Sequence, residues 1–356
     1  MHKLRFINPE VFITEETFPS VGSDQTAFLR QHLEQSPKGR VRACLHKTND
    51  DRMHEMFIAF TGTNYVRPSL HIGKDESLHL LEGEADYFFF GPDGSITDVI
   101  SLGAYGSPYQ FYCRIPASTE HALLIRSVDI AIHETTPGPF KREDTVFSAW
   151  SPEDGNQTAV ATFLGGLRQT ARAERPMLKM KRTGEEVFVA DQPVVSIGRK
   201  EIEFLKQTVQ TTARKRVRLC THKELENTLH EMFVVYMDMT YVKPNKHIAK
   251  DESLHILEGE ADFIFFDAQG KITEIIPLGA EGTGRQFYVR VPAFVYHTII
   301  MRSERLVIHE ATPGPFRRED TVWADWAPAE TDLPAVASFM NLLREAADQR
   351  NLVAAK

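Results

Sequence analysis

Two hydrophobic patterns alternate along the chain. Apolar residues recur at helical spacing in SDQTAFLRQHLEQ, which begins at the capping residue Ser23, and in AVATFLGGLRQTARAE. Between these segments lie short runs rich in β-branched and aromatic residues: HEMFIAF, SLHLLEG, ADYFFF, ITDVISL, FYCRIP, HALLI and VDIAIHE. Turn signals such as GPDGS separate the runs. Many short strands at roughly 8–12-residue spacing predict a mainly β sandwich or barrel with flanking helices.

The whole pattern occurs twice, with a period of 176 residues and no insertion. Residues 65–90 match residues 241–266 at 19 of 26 positions, whereas residues 1–40 match residues 177–216 at only 11. The uneven match indicates a local constraint on the first of these segments. We therefore predict two tandem units, residues 1–176 and residues 177–356.

Composition acts mainly by exclusion. The hydrophobic fraction of 42% and charged fraction of 25% are typical of soluble globular proteins, and no apolar run approaches the roughly 20 residues of a membrane span. The net charge of -8 opposes a general nucleic-acid role. The N-terminal residues show no signal-peptide pattern, so we expect a cytoplasmic protein. Three cysteines without a CxxC pair indicate neither a disulfide framework nor a thiolate metal site.

Each unit carries a His, a Glu and a second His at fixed spacing. The residues are His71, Glu76 and His121 in the first unit, and His247, Glu252 and His297 in the second. A gap of four residues between His and Glu suits a tight turn that joins two strands and brings both side chains to the inner wall. The second His persists although the three residues before it differ completely between the units. Two imidazoles and one carboxylate suit iron, zinc, manganese or nickel and leave coordination positions open.

These residues, together with Gly83, Pro116 and their counterparts, resemble the two sequence motifs of the cupin superfamily. The surrounding YVRPSLHIGKDESLHLLEGEADYFFF and HETTPGPF look more specifically like the WbuC family of cupin-fold metalloproteins. The resemblance implies two tandem double-stranded β-helix (jelly-roll) barrels, each with a divalent metal ion inside. It also implies a setting in bacterial surface-polysaccharide metabolism.

The first motif departs from the superfamily pattern at one position. Cupins usually begin it with His-x-His, and here Ser69 and Asn245 replace the first His. Either each site uses three protein ligands plus water, or another residue substitutes, or the sites bind metal weakly. His46 and His222 are candidate substitutes or proton carriers if the strands RVRACLH and RVRLCTH turn that face inward, and surface residues if they do not.

The same alternation places further candidates beside the first motif. It groups Tyr65 and Arg67 with the ligand His71, and the counterparts are Tyr241 and Lys243. A cation at the inner wall would bind a carboxylate or phosphate of a substrate. The alternative is a charge that extends to solvent at the barrel mouth.

Other titratable residues of the repeat receive a structural interpretation. His79 and His255 lie three positions after the ligand Glu, so in a strand they face the opposite side and are excluded as ligands. Glu134 and Glu310 are interpreted as structural or interface residues.

The leading hypothesis is a metal-dependent bicupin that isomerises or epimerises an anionic carbohydrate or sugar nucleotide. In such a reaction the metal polarises a carbonyl while a neighbouring base moves a proton. An iron-dependent oxygenase and a non-catalytic, metal-stabilised binding module are the alternatives. The expected partner is a small anionic molecule, and self-association into a homo-oligomer is compatible with the fold.

Overall fold

The computed structural model describes residues 3–354, and these form two compact units. The first unit comprises the described chain up to Glu16, Gln25–Lys181 and Ala190–Phe204. The second comprises Thr17–Asp24, Arg182–Val189 and the described chain from Leu205 onward. Each unit thus includes a short segment from the other half of the sequence. Residues 171–179, around the predicted repeat boundary, form neither helix nor strand.

In the first half of the chain, the described residues form two α-helices and thirteen strands. The helices are α1 (Ser23–Leu33) and α2 (Gln157–Arg168). The strands are β1 (Leu4–Asn8), β2 (Val11–Thr14), β3 (Ser20–Val21), β4 (Arg40–Cys44), β5 (Met53–Thr61), β6 (Ser69–His71), β7 (Glu76–Glu82), β8 (Glu84–Phe90), β9 (Ile96–Gly103), β10 (Tyr112–Ile115), β11 (His121–Ile125), β12 (Asp129–Pro137) and β13 (Thr145–Phe147).

The second half repeats this order of elements. Its helices are α3 (Arg199–Thr208) and α4 (Leu333–Ala354). Its strands are β14 (Met180–Arg182), β15 (Val187–Ala190), β16 (Val195–Ile197), β17 (Arg216–Cys220), β18 (Leu229–Met237), β19 (Asn245–His247), β20 (Glu252–Glu258), β21 (Glu260–Phe266), β22 (Ile272–Gly279), β23 (Tyr288–Val291), β24 (Tyr296–Met301), β25 (Arg305–Pro313) and β26 (Thr321–Trp323). Short 3-10 helices cover Arg142–Asp144, Val209–Thr211 and Arg318–Asp320.

Each unit is built from one eight-stranded and one five-stranded sheet. In the first unit the strand orders are β1-β2-β4-β5-β12-β7-β10-β16 and β13-β6-β11-β8-β9. In the second they are β14-β15-β17-β18-β25-β20-β23-β3 and β22-β21-β24-β19-β26. Consecutive strands therefore alternate between the sheets in several places, as expected for a jelly-roll topology.

The core of each unit lies between its two sheets. Alternate residues of the strands supply it, such as Leu78 and Leu80 of β7 facing Tyr87 and Phe89 of β8. The opposite face of the five-stranded sheet packs against a helix, α2 in the first unit and α4 in the second. The mainly β architecture with flanking helices is thus confirmed.

Candidate metal centres and substrate cavity

The first ligand triad is assembled from both sheets of its unit. His71 ends β6 and His121 begins β11 in the five-stranded sheet, whereas Glu76 begins β7 in the eight-stranded sheet. Nε2 of His71 lies 2.8 Å from Oε2 of Glu76, and Nε2 of His121 lies 3.9 Å from Oε1. One ligand atom from each residue lies within 4.8 Å of the other two. The structure therefore brings the three side chains together.

The second triad is more closely gathered around its carboxylate. Oε2 of Glu252 lies 3.0 Å from Nε2 of His247 and 3.1 Å from Nε2 of His297. Two ligand atoms that each lie about 2.1 Å from one ion, at right angles, are about 3 Å apart. The spacing therefore fits ligands that occupy neighbouring positions around a single metal ion.

The outer ring nitrogens show how the imidazoles are oriented. Nδ1 of His297 donates to the carbonyl oxygen of Val295 at 3.0 Å, and Nδ1 of His121 donates to that of Thr119 at 2.8 Å. Because a carbonyl oxygen only accepts, Nδ1 carries the proton, and a neutral ring presents its Nε2 lone pair to Glu252 or its counterpart. Nε2 of His297 and Oε2 of Glu252, 3.1 Å apart, are both electron-rich and require a cation or a proton between them. Each triad could therefore hold a divalent metal ion.

The ionisation state of the triads suits metal binding. Burial raises the pKa of Glu76, but the hydrogen bond from His71 and the charge of His121 outweigh it and lower the pKa to about 2. Despite burial, contacts with both histidines hold the pKa of Glu252 well below its usual range. Burial lowers the pKa of His247, but the hydrogen bond to Glu252 produces a net increase. The carboxylates are thus ionised at neutral pH, as metal binding requires.

A second carboxylate lies close to each triad. Burial, followed by the charge of Glu76, raises the pKa of Glu134 to about 7, and burial, followed by the charge of Glu252, raises the pKa of Glu310 to about 7. Glu134 shares a face of β12 with Ile132, which belongs to the inner core, so its carboxyl group points into the barrel. Sequence analysis treated both residues as structural or interface residues, although alternation within VDIAIHE would have predicted the inward face.

The second unit contains a cavity of about 500 Å³ that reaches its triad. The charged residues of its lining are six cations and three acids: Arg214, Arg216, Arg218, Lys250, Arg317, Arg318, Glu252, Glu310 and Asp320. Phe316 and Trp323 also line it and are about half exposed, at 52% and 49%. The cavity therefore combines an excess of positive charge with an aromatic rim.

Two of the cavity's acidic contacts already neutralise some of its cations. Nζ of Lys250 lies 2.7 Å from Oδ2 of Asp320. Glu186, which is not part of the cavity lining, pairs with Arg214 at 2.9 Å and with Arg216 at 3.6 Å. Three cations remain, Arg218, Arg317 and Arg318, and within residues 3–354 no carboxylate lies in salt-bridge distance of them.

Tyr65 and Tyr241 lie on the helix-covered side of the five-stranded sheets. Their hydroxyl groups donate to the carbonyl oxygens of Pro152 and Pro328 at 3.0 and 3.1 Å. Tyr241 packs in the cluster that includes α4 residues. The alternation argument placed a strand at residue 65, but β6 begins only at Ser69. We therefore do not include these tyrosines in the proposed site.

The predicted cations Arg67 and Lys243 lie just before β6 and β19, respectively. Nε of Arg67 donates to Oγ of Ser151 at 3.0 Å, and its guanidinium lies 5.0 Å from the centre of the Phe147 ring. The lining of the second-unit cavity does not include Lys243. Because the residues between Tyr65 and Pro68 are not in a strand, regular alternation does not extend to Arg67. The cavity's cations come instead from β17 and the residues just before it, from the turn between β19 and β20, and from the segment before β26.

His46 and His222 lie just beyond the ends of β4 and β17, where alternation stops. Cys44 does face the inner core, but Nδ1 of His46 lies 3.2 Å from the backbone oxygen of Glu55, and its ring stacks on His54 at 4.0 Å. The second unit repeats these contacts. Within residues 3–354, the groups that could hold a metal include neither histidine. Their role as substitute ligands stays a prediction without geometric support.

The positions of the missing fourth ligand lie beside the triads. Ser69 pairs with His121 across the sheet, and Asn245 pairs with His297 in the same way. Nδ2 of Asn245 donates to the carbonyl oxygen of Lys243 at 3.2 Å. That bond leaves the amide oxygen of Asn245 for other partners, and Asn245 lines the cavity.

Asp75, which sequence analysis did not single out, connects the two motifs of the first unit. Its Oδ2 lies 2.7 Å from Nη2 of Arg114, and its Oδ1 accepts the backbone N–H of Ala117 at 3.0 Å. The carbonyl oxygen of Asp75 accepts a hydrogen bond from Oγ1 of Thr136 at 3.1 Å. The same bonds recur in the second unit. These bonds hold the start of β7, and therefore Glu76, against the loop that leads to the second histidine.

A family model described as a domain of unknown function (DUF6016) matches residues 22–102 and 197–278, one segment in each half. No curated protein sequence matches the chain significantly. Each matched segment contains the first His and the Glu of a triad, whereas the second His lies outside it. No helix within the part of the chain that the structure describes is long and apolar enough to cross a membrane.

Solved structures of one enzyme share the fold at low sequence identity. Salicylate 1,2-dioxygenase from Pseudoaminobacter salicylatoxidans, as its adduct with gentisate, is 12% identical with a TM-score of 0.60, over 86% of this chain and 85% of that chain. Another structure of that enzyme is 12% identical with a TM-score of 0.55, over 83% of each chain. A cupin 2 conserved barrel domain protein from Leptotrichia buccalis is 9% identical with a TM-score of 0.46, over 80% of this chain and 95% of that chain.

The finer resemblance to the WbuC family stays a prediction. The repeated two-sheet units, the segment matched in each half and the similarity to solved structures agree on the architecture. The chain therefore has the bicupin fold, two tandem cupin barrels, as the sequence predicted.

Proposed function

We propose that the chain is a metal-dependent oxygenase that acts on a small organic anion in the cavity of the second unit. The observation that carries this proposal is the triad of two histidines and one glutamate at a cavity whose lining holds six cations and three acids. Two imidazoles and a carboxylate leave open coordination positions, the arrangement that oxygen-activating iron proteins use. A bound iron ion would supply the redox chemistry, and other divalent metals would supply Lewis-acid activation.

The cations of the lining account for substrate binding. Arg218, Arg317 and Arg318 have no carboxylate within salt-bridge distance among residues 3–354, so a ligand with carboxylate or phosphate oxygens would satisfy their donors. The first unit retains a cation at each corresponding position: Lys38, Arg40, Arg42, Lys74, Lys141 and Arg142. Retention of charge across the repeat supports a role in binding an anion.

The half-exposed Phe316 and Trp323 extend the lining toward solvent. Aromatic faces of this kind would cover the apolar part of an organic acid and exclude water from it. A similar fold in salicylate 1,2-dioxygenase, solved as a gentisate adduct, supports the choice of an oxygenase acting on an organic acid. Salicylate and gentisate are therefore the first compounds to test.

Isomerase or epimerase chemistry is the second candidate, and Glu310 favours it. Its pKa of about 7, raised by burial and by the charge of Glu252, suits a general acid or base that moves a proton near neutral pH. A carbohydrate substrate and a place in surface-polysaccharide metabolism rest on the WbuC resemblance alone. The cytoplasmic location and the possible homo-oligomer likewise stay predictions from the sequence.

The decisive experiment combines metal analysis with oxygen uptake. Protein purified without added metal or chelator would be analysed for iron, zinc, manganese and nickel, and then incubated with salicylate, gentisate and sugar nucleotides under an oxygen electrode. Oxygen consumption that follows the iron content and is lost in Glu252→Ala supports the oxygenase. Turnover of a sugar nucleotide without oxygen uptake would replace it with the isomerase. Bound metal without turnover of any compound would favour a binding module.

A further inference from the structure

At two positions on the inner wall of the barrel, one unit has tyrosine where the other has phenylalanine, and the order is reversed between the two positions. Tyr87 of β8 corresponds to Phe263 of β21, whereas Phe60 of β5 corresponds to Tyr236 of β18. All four side chains are buried and belong to the inner core clusters. Each unit therefore keeps one hydroxyl group at this pair of positions but places it on a different strand.

In the first unit the hydroxyl group is engaged by the metal triad. The OH of Tyr87 donates to Oε1 of Glu76 at 3.2 Å. Oε2 of the same carboxylate is the oxygen that faces His71 at 2.8 Å. Tyr87 thus fixes the orientation of the ligand carboxylate, as hydrogen bonds from outside the metal shell commonly do.

In the second unit the corresponding Phe263 cannot donate a hydrogen bond. Its ring stacks on His297, with ring centres 5.5 Å apart and an angle of 18° between the planes. The carboxylate of Glu252 instead directs one oxygen, Oε2, toward both histidines. This triad is therefore held without a tyrosine, and its cavity contains the displaced one.

The ring of Tyr236 is largely buried and borders the second-unit cavity. It is 9% exposed and lines the cavity. Within residues 3–354 no group forms a hydrogen bond with its hydroxyl. Tyr236 lies directly opposite Arg216 in the pairing of β17 with β18, and Arg218 follows two positions along the same face. The Tyr236 hydroxyl is not among the buried polar atoms of residues 3–354 that lack a partner, so it opens onto the cavity, where a bound ligand can accept its hydrogen bond.

We propose that Tyr236, together with Arg218, donates to an anionic oxygen of a small organic acid in the second-unit cavity, whereas Tyr87 is a positioning residue for the first triad. This proposal rests on the proposed function for the location of the ligand. It assigns a tyrosine that donates to the anion to the second unit, and a tyrosine that orients the ligand carboxylate to the first. The two centres of one chain are therefore chemically different, although their ligand triads are the same.

The test compares two matched variants, Tyr236→Phe and Tyr87→Phe, in the full metal-loaded chain without oxygen. Each change removes a single hydroxyl group from a buried ring. Calorimetric titration with benzoate, acetate and inorganic phosphate measures anion binding. A hydrogen bond to a charged group raises affinity by about 10- to 100-fold. Tyr236→Phe is therefore expected to weaken benzoate binding about 10- to 100-fold. Tyr87→Phe is expected to leave benzoate binding unchanged.

Metal titration with a competing chelator provides the second readout. Tyr87→Phe is expected to weaken one of the two metal sites by about tenfold, whereas Tyr236→Phe leaves both unchanged. Unchanged benzoate affinity in Tyr236→Phe, an equal loss in Tyr87→Phe, or no binding of any of the three anions to the unsubstituted chain would overturn the proposal. Thermal unfolding of both variants establishes that they are folded. Anion binding that depends on Tyr236 without any oxygen uptake would refute only the oxygenase function.

Discussion

Oδ2 of Asp251 lies 2.8 Å from Nη2 of Arg290, and Asp251 is the residue that immediately precedes the ligand Glu252. The other carboxylate oxygen accepts the backbone N–H of Ala293 at 3.1 Å. One side chain therefore joins the strand that carries the glutamate ligand to the loop that leads to His297. The Arg290 side chain is only 4% exposed, so loss of this ion pair would destabilise the protein strongly.

We expect Asp251→Asn to weaken metal binding in the second unit by about tenfold, because the bonds that orient the ligand loops are lost. The free energy of unfolding should fall by roughly 2–3 kcal/mol, since the change removes the negative charge that faces a buried guanidinium. Chelator competition and urea denaturation measure the two effects. The control is Glu304→Gln, an exposed acid of the same unit. Metal affinity equal to that of the control would show that Asp251 does not support the site.

The two triads predict the metal stoichiometry. If both sites bind equally, Glu76→Ala and Glu252→Ala should each remove about half of the bound metal, and the double variant should remove nearly all of it, because a carboxylate is one of only three protein ligands in each triad. Elemental analysis after gel filtration gives the count. Unequal losses would identify one unit as the principal metal site. Full metal content in the double variant would exclude both triads.

The partly buried carboxyl groups of Glu134 and Glu310 predict how stability depends on pH in chelator-treated protein. Their pKa of about 7 lies above the ordinary value of 4.5, so between these values the folded state keeps protons that the unfolded chain has lost. Stability should therefore fall as pH rises through that window. The lowered pKa of Glu252 places its own titration below this range.

Glu310→Gln isolates one of these contributions. The amide is neutral at every pH, so the variant should lose on the order of 1–2 kcal/mol less stability than the unsubstituted chain between about pH 5 and pH 8. This figure is reduced because Glu310 is partly exposed to the cavity. Urea denaturation across the pH series measures it, with Glu304→Gln as the control. Parallel pH profiles for the variant and the unsubstituted chain would contradict the assignment.

The glycine of the first motif is required by the backbone. Gly259 has a φ of +87°, and a Cβ atom there would lie 2.3 Å from the carbonyl oxygen of Arg305. Gly282 has nearly the same φ, +85°, but open space around it. Gly259→Ala should therefore destabilise the protein by roughly 3 kcal/mol, against about 1 kcal/mol for Gly282→Ala. Thermal or urea unfolding of the pair separates steric contact from φ strain, and equal losses would show that the contact is relieved.

Much of the fold and the identity of the triad residues could be predicted from the sequence. Both depend on the spacing of nearby residues, and the duplication shows that spacing in two copies. A repeat of 176 residues, strands with period-two alternation and a His and a Glu separated by a short turn are properties of neighbouring residues. The second histidine was found because it persists while the residues before it change.

The sequence argument failed where it extended strand alternation beyond a strand. Tyr65 precedes β6, and His46 follows β4, so the face each side chain takes is set by loop contacts with distant residues. For Glu134 alternation would have been correct, because this residue lies within a strand and points inward. The sequence analysis nevertheless interpreted it as a structural residue.

What the sequence by itself determined is the repeated barrel and the three residue types that converge in each copy, because hydrophobic periodicity and motif spacing are local. Only the tertiary structure decided which way the polar residues outside the strands face, how Asp75 joins two loops, and that Tyr87 bonds to a ligand carboxylate whereas Tyr236 lines the cavity. Those features depend on contacts between residues 11 to 42 positions apart or on opposite sheets, which no local pattern encodes.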